Sequence, residues 1–474
     1  MLAQTLNLPF VLQEIQQTLH AVRDPGGVRR GGESLAGMES SELQEFEAIL
    51  RKAESDINSP GASQYSSFEL AGAPPLDDTA FFSSSREVSF VQSAMEMAWR
   101  RANESEEGGR RGMLFETLQS GRDSEDETFV PVTRQALAGY AERVIDGRRF
   151  LDKFKENQDP GWALCALAMV QRWWKKRRPF KNEAAARVDL SDDARLILVG
   201  DWGTGLNRAR MVAKHMRREL DAARKEGREV HVIHLGDVYY SGWPYEYTDR
   251  FLGDGLWPVK SSAEAGSWSL NGNHDMYCGG HGYYDTLLHD DRFARQEKSS
   301  FFHLRHRHWD IFGLDTAYSD AEFHGSQVAW ARGVIQEAKN TRKAMMLTHH
   351  QPVSAYDKPC VTVLEQARPL LDTGRVRSWF FGHEHRLVRY NDICGVPQAC
   401  CLGHGAVPCY QPRKDSDPIK APAEWEFRGA YKKGFENWAL CGFAVMDFTS
   451  EGGLLTRYID ENGVEDSRRA ETLV

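Results

Sequence analysis

The sequence predicts an α/β fold for the second part of the chain, and three observations carry the prediction. From Asp189 onward, strand-like apolar runs alternate with amphipathic helical stretches. Several of those runs end in glycine followed by Asp, Asn or His. A buried strand that ends this way delivers a polar side chain to the edge of the sheet, a placement that packing alone does not require. Third, the texture changes along the chain: residues 1–185 read as short helices separated by polar, Gly- and Pro-containing stretches, and residues 190–465 as a separate domain.

In order, Phe10, Val11, Ile15, Leu19 and Val22 recur at helical intervals, and Ser41 followed by Glu42, Leu43, Phe46, Ile49 and Leu50 repeats the pattern. Residues 58–86, rich in Ser, Gly, Pro and Ala, and residues 104–127, rich in Glu, Asp, Gly and Arg, read as mobile loops or linkers. A helix is expected after Pro131, carrying Leu137, Tyr140, Val144 and Phe150. Asp159-Pro160 resembles an N-cap with proline at the first helical position, opening a helix through Leu164, Leu167 and Val170 to Trp173-Trp174. The run Lys175-Lys176-Arg177-Arg178-Pro179 suits the negative end of that helix and stops it, and reads as a solvated helix end before it reads as an anion site.

A chain of 474 residues with 41% hydrophobic and 11% aromatic residues has material for a large core and exceeds one ordinary domain. A net charge of -9 argues against a general nucleic-acid binder. The N-terminal residues lack a basic segment and an unbroken apolar core, so no signal peptide is expected. The longest apolar run, Trp162 to Val170, falls short of the roughly 20 residues that span a bilayer, and a soluble cytoplasmic protein without a membrane span is expected. The eight cysteines, Cys165, Cys278, Cys360, Cys394, Cys400, Cys401, Cys409 and Cys441, show no C-x-x-C spacing and read mostly as reduced thiols. Cys394 to Cys409 leaves open a local pair or a soft-metal site.

Within the α/β part, the expected strands are Leu196–Val199, Val230–Leu235, Ser267–Leu270, Ala344–Leu347 and Val376–Phe381, with helices over Asn207–Lys225 and Gln327–Lys339. Phe301–Leu304 and Trp309–Asp315 suggest an antiparallel pair near a sheet edge, and Phe443–Phe448 with Leu454–Ile459 a closing hairpin. The polar clusters that follow the five strands are Gly200-Asp201-Trp202-Gly203, Gly236-Asp237-Val238-Tyr239-Tyr240, Gly272-Asn273-His274-Asp275, Thr348-His349-His350 and Gly382-His383-Glu384-His385. Their donors are carboxylates, an amide oxygen, a phenol and imidazoles without thiolate, a set suited to Fe, Mn, Zn or Mg. The donors are too many for one ion, whereas two ions about 3.5–4 Å apart sharing a carboxylate would use them and would clamp the attacking and leaving oxygens of a phosphoryl transfer.

These five blocks, in this order, resemble the calcineurin-like metallophosphoesterases, whose signature runs Asp, Gly-Asp, Gly-Asn-His-Asp/Glu, His, Gly-His-x-His. The resemblance covers residues 196 to about 450 and implies an α/β sandwich of two mixed β-sheets flanked by helices. The chain is most similar to the purple acid phosphatase-like branch: Gly203 stands where most relatives carry a His, and Tyr240 stands three residues after Asp237, where that branch carries its phenol.

Position by position, the resemblance implies one ion held by Asp201, Asp237, Tyr240 and His385 and another by Asp237, Asn273, His349 and His383, with Asp237 as the bridge. A phenolate favours Fe(III) in the first position. The second would take Fe(II), Zn or Mn, and if Tyr240 points away an Mn or Zn pair fits better. Alternation along an extended chain lets only one of His349 and His350 face the ions, and the strand register favours His349. His274 matches the family's substrate-facing histidine, with Asp275 orienting it. His350, His281 and His404 are candidates for lining the substrate pocket.

The expected activity is hydrolysis of phosphomonoesters, small molecules or phosphoproteins, by hydroxide formed on a metal whose bound water has a pKa of about 7 or lower. A phosphodiesterase acting on nucleotides or other diesters, and a non-catalytic metal-binding scaffold, are the alternatives. For the N-terminal region three roles stay open: covering the pocket, dimerising, or contacting a protein partner.

Overall fold

A computed structural model describes residues 15, 16, 19, 40–57, 89, 142–145, 148–151 and 177–473, apart from 320, 338–340, 408, 410–415 and 431–438. The chain divides into two compact units, residues 1–176 with 432–436, and residues 177–431 with 437–474.

In the first unit, Ile15, Gln16 and Leu19 are helical, as is α1 (Ser40–Ile57). Both stretches follow the apolar spacing read from the sequence: Ile15, Leu19, Leu50 and Ala53 are buried. Gln16 Nε2 donates to Glu54 Oε1 at 3.1 Å. Further on, the expected helix gives way to a hairpin: β1 (Glu142–Ile145) pairs antiparallel with β2 (Arg148–Leu151), Val144 opposite Arg149. The helical spacing of Val144 and Phe150 competes there with Asp146-Gly147, a two-residue link between β-favouring runs and a strong hairpin signal. The expected helix over 159–174 and the linkers 58–86 and 104–127 lie outside the described residues.

The second unit opens with β3 (Val188–Asp189) and β4 (Arg195–Val199), followed by α2 (Asn207–Lys225), β5 (Val230–His234), the short helix α3 (Pro244–Arg250) and β6 (Gly266–Ser269). Then come the one-turn helix α4 (Asn273–Tyr277), β7 (Phe302–Arg305), β8 (Trp309–Gly313), α5 (Gln327–Gln336), β9 (Lys343–Thr348), α6 (Val361–Leu371) and β10 (Val376–Phe381). The chain ends through β11 (Leu387–Tyr390), β12 (Gln398–Leu402), β13 (Ala423–Glu426), β14 (Gly442–Phe448), β15 (Leu454–Asp460) and β16 (Glu471–Leu473).

These strands form two mixed sheets. One has the order β16-β15-β14-β4-β5-β6, with β4, β5 and β6 parallel and β14 antiparallel to β4. The other has the order β13-β11-β12-β10-β9-β8-β7-β3, with β8, β9, β10 and β12 parallel. The expected pair β7 and β8 is antiparallel near the edge, and β14 with β15 forms the closing hairpin.

Period-two alternation decides which face each side chain covers. Leu196 and Leu198 of β4 join Ile233, Trp268, Phe302, Ile311, Met345, Leu347, Phe380 and Met446 in the core between the sheets. Ile197 and Val199, pointing the other way, pack with Val212, Met216 and Leu220 of α2. On the far side of the second sheet, Phe312, Met346 and Phe381 meet Ala331 and Ile335 of α5 and Val363 and Ala367 of α6. The unit is therefore a sandwich of two mixed sheets flanked by helices. Strands covered on both faces explain the near-continuous apolar runs in β4 and β5, whose residues are all buried. The described cysteines are free thiols.

Candidate metal centre

Parallel neighbours end at the same edge of a sheet, so the tips of β4, β5 and β6 bring Asp201, Asp237 and Asn273 together. The tips of β9 and β10 do the same for His349, His383 and His385. The two edges are joined through the backbone: Gly200 N–H donates to Leu402 O at 3.2 Å, Gly405 N–H to Gly200 O at 3.0 Å, and Ala406 N–H to Asp201 O at 3.1 Å. Three of the delivering residues are non-glycines in the left-handed region, Asp201 at φ 54°, Asp237 at φ 75° and His383 at φ 72°. Such conformations cost free energy and persist where the surroundings enforce them, commonly at functional sites.

At the centre, Asp201 Oδ2 accepts the His383 backbone N–H at 2.8 Å, and Asp237 Oδ1 accepts that of His274 at 2.9 Å. The other carboxylate oxygens, Asp201 Oδ1 and Asp237 Oδ2, face the Tyr239 hydroxyl, each at 3.1 Å. His385 Nε2 lies 2.8 Å from that hydroxyl and 3.6 Å from Asp201 Oδ1. Asn273 Oδ1 lies 3.1 Å from His349 Nε2 and 2.9 Å from His383 Nδ1, and those two nitrogens are 3.3 Å apart. Asp201, Asp237, Asn273 and His349 are buried, whereas His383 and His385 are half-buried and form the open side.

The hydrogen-bond pattern suits cations. His349 Nδ1 lies 3.0 Å from Leu235 O, and since a carbonyl only accepts, Nδ1 carries the hydrogen and Nε2 presents a lone pair. Asn273 Nδ2 donates to Tyr277 Oη, which directs Oδ1 to the same spot, and Asp237 Oδ2 lies 3.4 Å from His349 Nε2. Acceptors that meet acceptors need a proton or a metal between them. The electrostatics agree. Burial pushes Asp201 well above the usual carboxylate range, with His349 opposing and Asp237 adding to the rise. Burial raises Asp237 too, but His349, His274 and His383 outweigh it and hold that carboxyl well below its ordinary range. Burial disfavours charge on His349, yet Asp237 beside it lifts the imidazole to about 9, so it holds a proton that a cation would displace. Burial lowers His383 to about 4 and His385 to about 3, leaving neutral imidazoles able to ligate. Two groups whose ligand atoms lie within 4.8 Å of one another stand out, Asp201 with Asp237 and His349, and His349 with His350 and His383.

The structure corrects the expected phenol. Tyr239, not Tyr240, turns its hydroxyl to the carboxylates. Tyr240 is fixed through its backbone, its N–H donating to Glu246 Oε1 and its carbonyl accepting from His274 Nδ1, while its ring lies 5.3 Å from the Arg250 guanidinium. Residue counting finds a tyrosine at the right spacing, but the path of the turn decides which one faces inward. Gly203 N–H donates to Asp237 O at 3.4 Å and Tyr239 N–H to Gly203 O at 3.0 Å; a Cβ at position 203 would lie 2.6 Å from Val238 Cγ2, so the place of the missing histidine has no room for a side chain. Gly272 is constrained likewise, since its Cβ would lie 2.0 Å from Asp237 Oδ1.

His274 is buried between Tyr239 and Tyr277, ring centroids 4.4 and 4.8 Å away, and Nε2 lies 4.0 Å from Asp237 Oδ2. Asp275 bonds elsewhere than expected: it does not orient the His274 ring but accepts N–H groups of Asp237 at 2.8 Å, Val238 at 3.0 Å and Gly272 at 2.6 Å, and the Tyr247 hydroxyl. It thus clasps the second block to the third. His350 lies beside His383, rings 4.9 Å apart, with Nδ1 3.2 Å from Thr316 Oγ1. His281 and His404 are not drawn in. His281 Nδ1 meets Asp285 Oδ2 at 3.2 Å, and the buried His404 ring lies 6.3 Å from Phe427 with Nδ1 unpartnered.

Sequence reading missed the support of the second block. Buried Glu246 accepts the N–H groups of Tyr240, Ser241 and Trp243, and Arg250 donates to Tyr239 O while lying 3.3 Å from Glu246 Oε1. Pro244 at the first helical position with Glu246 two residues later was a readable helix-start signal.

No curated protein sequence matches the chain. Among solved structures, the chain is similar to GAP50, the anchor in the inner membrane complex of Plasmodium (14% identity, TM-score 0.43, covering 59% of this chain and 88% of that one). It is also similar to purple acid phosphatase PPD1 from yellow lupin (Lupinus luteus) seeds (14%, TM-score 0.41, 60% and 53%) and to 5'-nucleotidase from Candida albicans (14%, TM-score 0.28, 57% and 54%). The chain thus spans about half the length of the latter two. Residues 194–387 match the family model for calcineurin-like phosphoesterase. The stretch that runs from β4 to the start of β11 and delivers each donor of the centre is thus the part of the chain similar to the calcineurin-like phosphoesterases.

Proposed function

We propose that the chain is a dinuclear metal-dependent phosphomonoesterase. One observation carries the reading: oxygen donors from one sheet and nitrogen donors from the other meet with their lone pairs facing a common space. Asp201, Asp237, Tyr239 and His385 would hold one ion, and Asp237, Asn273, His349 and His383 the other, with His350 at the rim of the second. Bound there, such ions supply Lewis-acid charge that activates water and neutralises the phosphoryl oxygens. Fe, Zn and Mn suit the donors, and a phenolate from Tyr239 would favour Fe(III).

The chain's own residues do the positioning and the proton work. His274 Nδ1–H donates to the Tyr240 carbonyl, which leaves the Nε2 lone pair facing Asp237; that atom would take up a proton, forming the imidazolium, and pass it to the departing alkoxide. Asp275 keeps Asp237 and Asn273 in register, and the Glu246–Arg250 pair keeps the Tyr239 turn closed.

Metal analysis with assays on an aryl phosphate and an aryl phosphodiester tests this. Two equivalents of metal and faster turnover of the monoester are expected. Faster turnover of the diester would favour a phosphodiesterase, and two bound equivalents without turnover of either would replace the enzyme by a metal-binding scaffold.

A further inference from the structure

Helix α2 flanks the first sheet, and its outer side is basic in a chain whose net charge is -9. It carries seven arginines and lysines against two acids, Glu219 and Asp221. Val212, Met216 and Leu220 turn to the core, which leaves most of those cations on the outside. The acids around the helix are already taken: Glu219 lies 3.3 Å from Arg195 and 3.0 Å from Arg457, Asp221 lies 2.7 Å from Arg217, and Glu264 lies 2.6 Å from Arg217 and 3.3 Å from Arg224. Glu226 pairs with Arg228 at 3.8 Å.

Lys214, Arg218 and Lys225 are left over. All three are exposed, and among the described residues none of them is ion-paired. Spaced four and then seven residues apart, they fall within about 40° of one another round the helix, in a stripe about 16 Å long. Their field reaches the ring beside them: burial first, then Arg218 and Lys214, holds the His215 imidazole below its ordinary range against the pull of Asp460 and Glu219.

An aliphatic side chain stands next to the stripe. The turn after β15 rests on the helix at His215, where a Cβ at Gly463 would run into the imidazole, and Arg218 Nη2 donates to Gly463 O at 3.4 Å. Asp460 Oδ1 fixes that turn by accepting the N–H groups of Asn462 and Val464, both at 2.9 Å. Val464, held there, is 60% exposed, more than any other large hydrophobic side chain among the described residues.

A line of unpaired cations beside an aliphatic tip fits one kind of surface. A stable protein partner covers about 800 Å² a side around aromatic or arginine anchors, and neither α2 nor the 461–464 turn has a Phe, Tyr or Trp. A nucleic acid offers phosphates but no apolar layer for a valine. An anionic bilayer offers both: laterally mobile phosphate headgroups that need no fixed register, and hydrocarbon beneath them.

We propose that Lys214, Arg218, Lys225 and Val464 form a peripheral docking surface for an anionic phospholipid bilayer. Each cation strengthens such a contact about fivefold, so three give on the order of 10²-fold. The net charge of the chain opposes the contact, which therefore forms only with this face turned to the lipid.

The test is flotation of the full chain with vesicles of phosphatidylcholine alone or mixed with an equal share of phosphatidylserine. Partitioning on the order of 10²-fold stronger onto the mixed vesicles is expected, weakening as salt is raised. Lys214→Glu should lower it by about tenfold or more and Val464→Ser by about threefold. Arg332→Glu, an equal change of charge at an exposed position of α5 on the opposite flank, should leave it within about twofold. Equal binding to both kinds of vesicle, equal losses in Lys214→Glu and Arg332→Glu, or undiminished binding of Val464→Ser would overturn the surface. So would retention on duplex DNA instead of vesicles, lost in Lys214→Glu, which would reassign the stripe to nucleic acid. The substituted positions are exposed, so the variants keep the fold. None of these readouts uses hydrolysis, so failure here leaves the phosphoesterase reading intact, and an inactive protein that floats with anionic vesicles leaves this surface intact.

Discussion

The two sheets contribute unlike halves to the candidate centre. The tips of β4, β5 and β6 bring oxygen: two buried carboxylates, an amide and a phenol. The tip of β9 brings the buried imidazole of His349, and the tip of β10 the half-buried imidazoles of His383 and His385. Of the three delivering residues in the left-handed region, the oxygen half carries two, and it also carries the negative charge, while in the nitrogen half His383 and His385 are neutral and His349 answers the charge of Asp237. The labour is divided: the first sheet supplies the negative charge, and in the proposed centre the second would supply the ligands that select the cation.

That contrast can be broken most sharply at its shared member. Asp237→Asn removes the charge between the proposed ions, and kcat/KM should fall by on the order of 10³-fold with loss of metal, measured by elemental analysis beside initial rates. His349→Gln should lose less metal than Asp237→Asn; an equal or larger loss would erase the distinction between the halves. Next, Asp275→Asn weakens the clasp that holds Asp237 and Gly272, and metal affinity should drop by about 10–100-fold in a chelator competition while the far-ultraviolet circular dichroism is unchanged.

The phenol offers a paired test. Tyr239→Phe should abolish any visible charge-transfer band of iron-loaded protein, and Tyr240→Phe should keep it; the reverse outcome would restore the assignment by spacing. The smallest effect lies outside the centre, at a carboxylate with a resident partner. Glu229 accepts from His231 Nε2 at 2.9 Å and from Ser191 N–H at 2.7 Å, and these bonds, the one from His231 foremost, hold it near 2 instead of its ordinary 4.5. A depressed folded-state pKa stabilises above the unfolded value and stops doing so as pH falls through the folded one. Glu229→Gln should therefore lower unfolding free energy by about 1 kcal/mol at pH 7, and the deficit should shrink between pH 4.5 and 2 in denaturant titrations.

Much of the architecture was legible because strands buried on both faces leave unbroken apolar runs, and because Gly-Asp, Gly-Asn-His and Gly-His-x-His mark where those runs stop. The choice of His349 over His350 follows from alternation, and His349 does take the position against Asp237 and Asn273 while His350 faces Thr316. What stayed hidden depends on contacts between distant segments. Spacing could not tell Tyr239 from Tyr240, since Arg250 and Glu246 pin that turn from a helix further along. Helical periodicity hid the hairpin at β1 and β2, where Asp146-Gly147 was the better guide.

The backbone bonds from Gly200 and Asp201 to the 402–406 stretch tie the two edges at a single seam, directly under the donors. An ion seated across that seam would act as a rivet between layers that otherwise adhere through apolar contacts. Loading and global unfolding would then be one linked equilibrium, and stripping the ions would loosen the whole sandwich instead of a local loop.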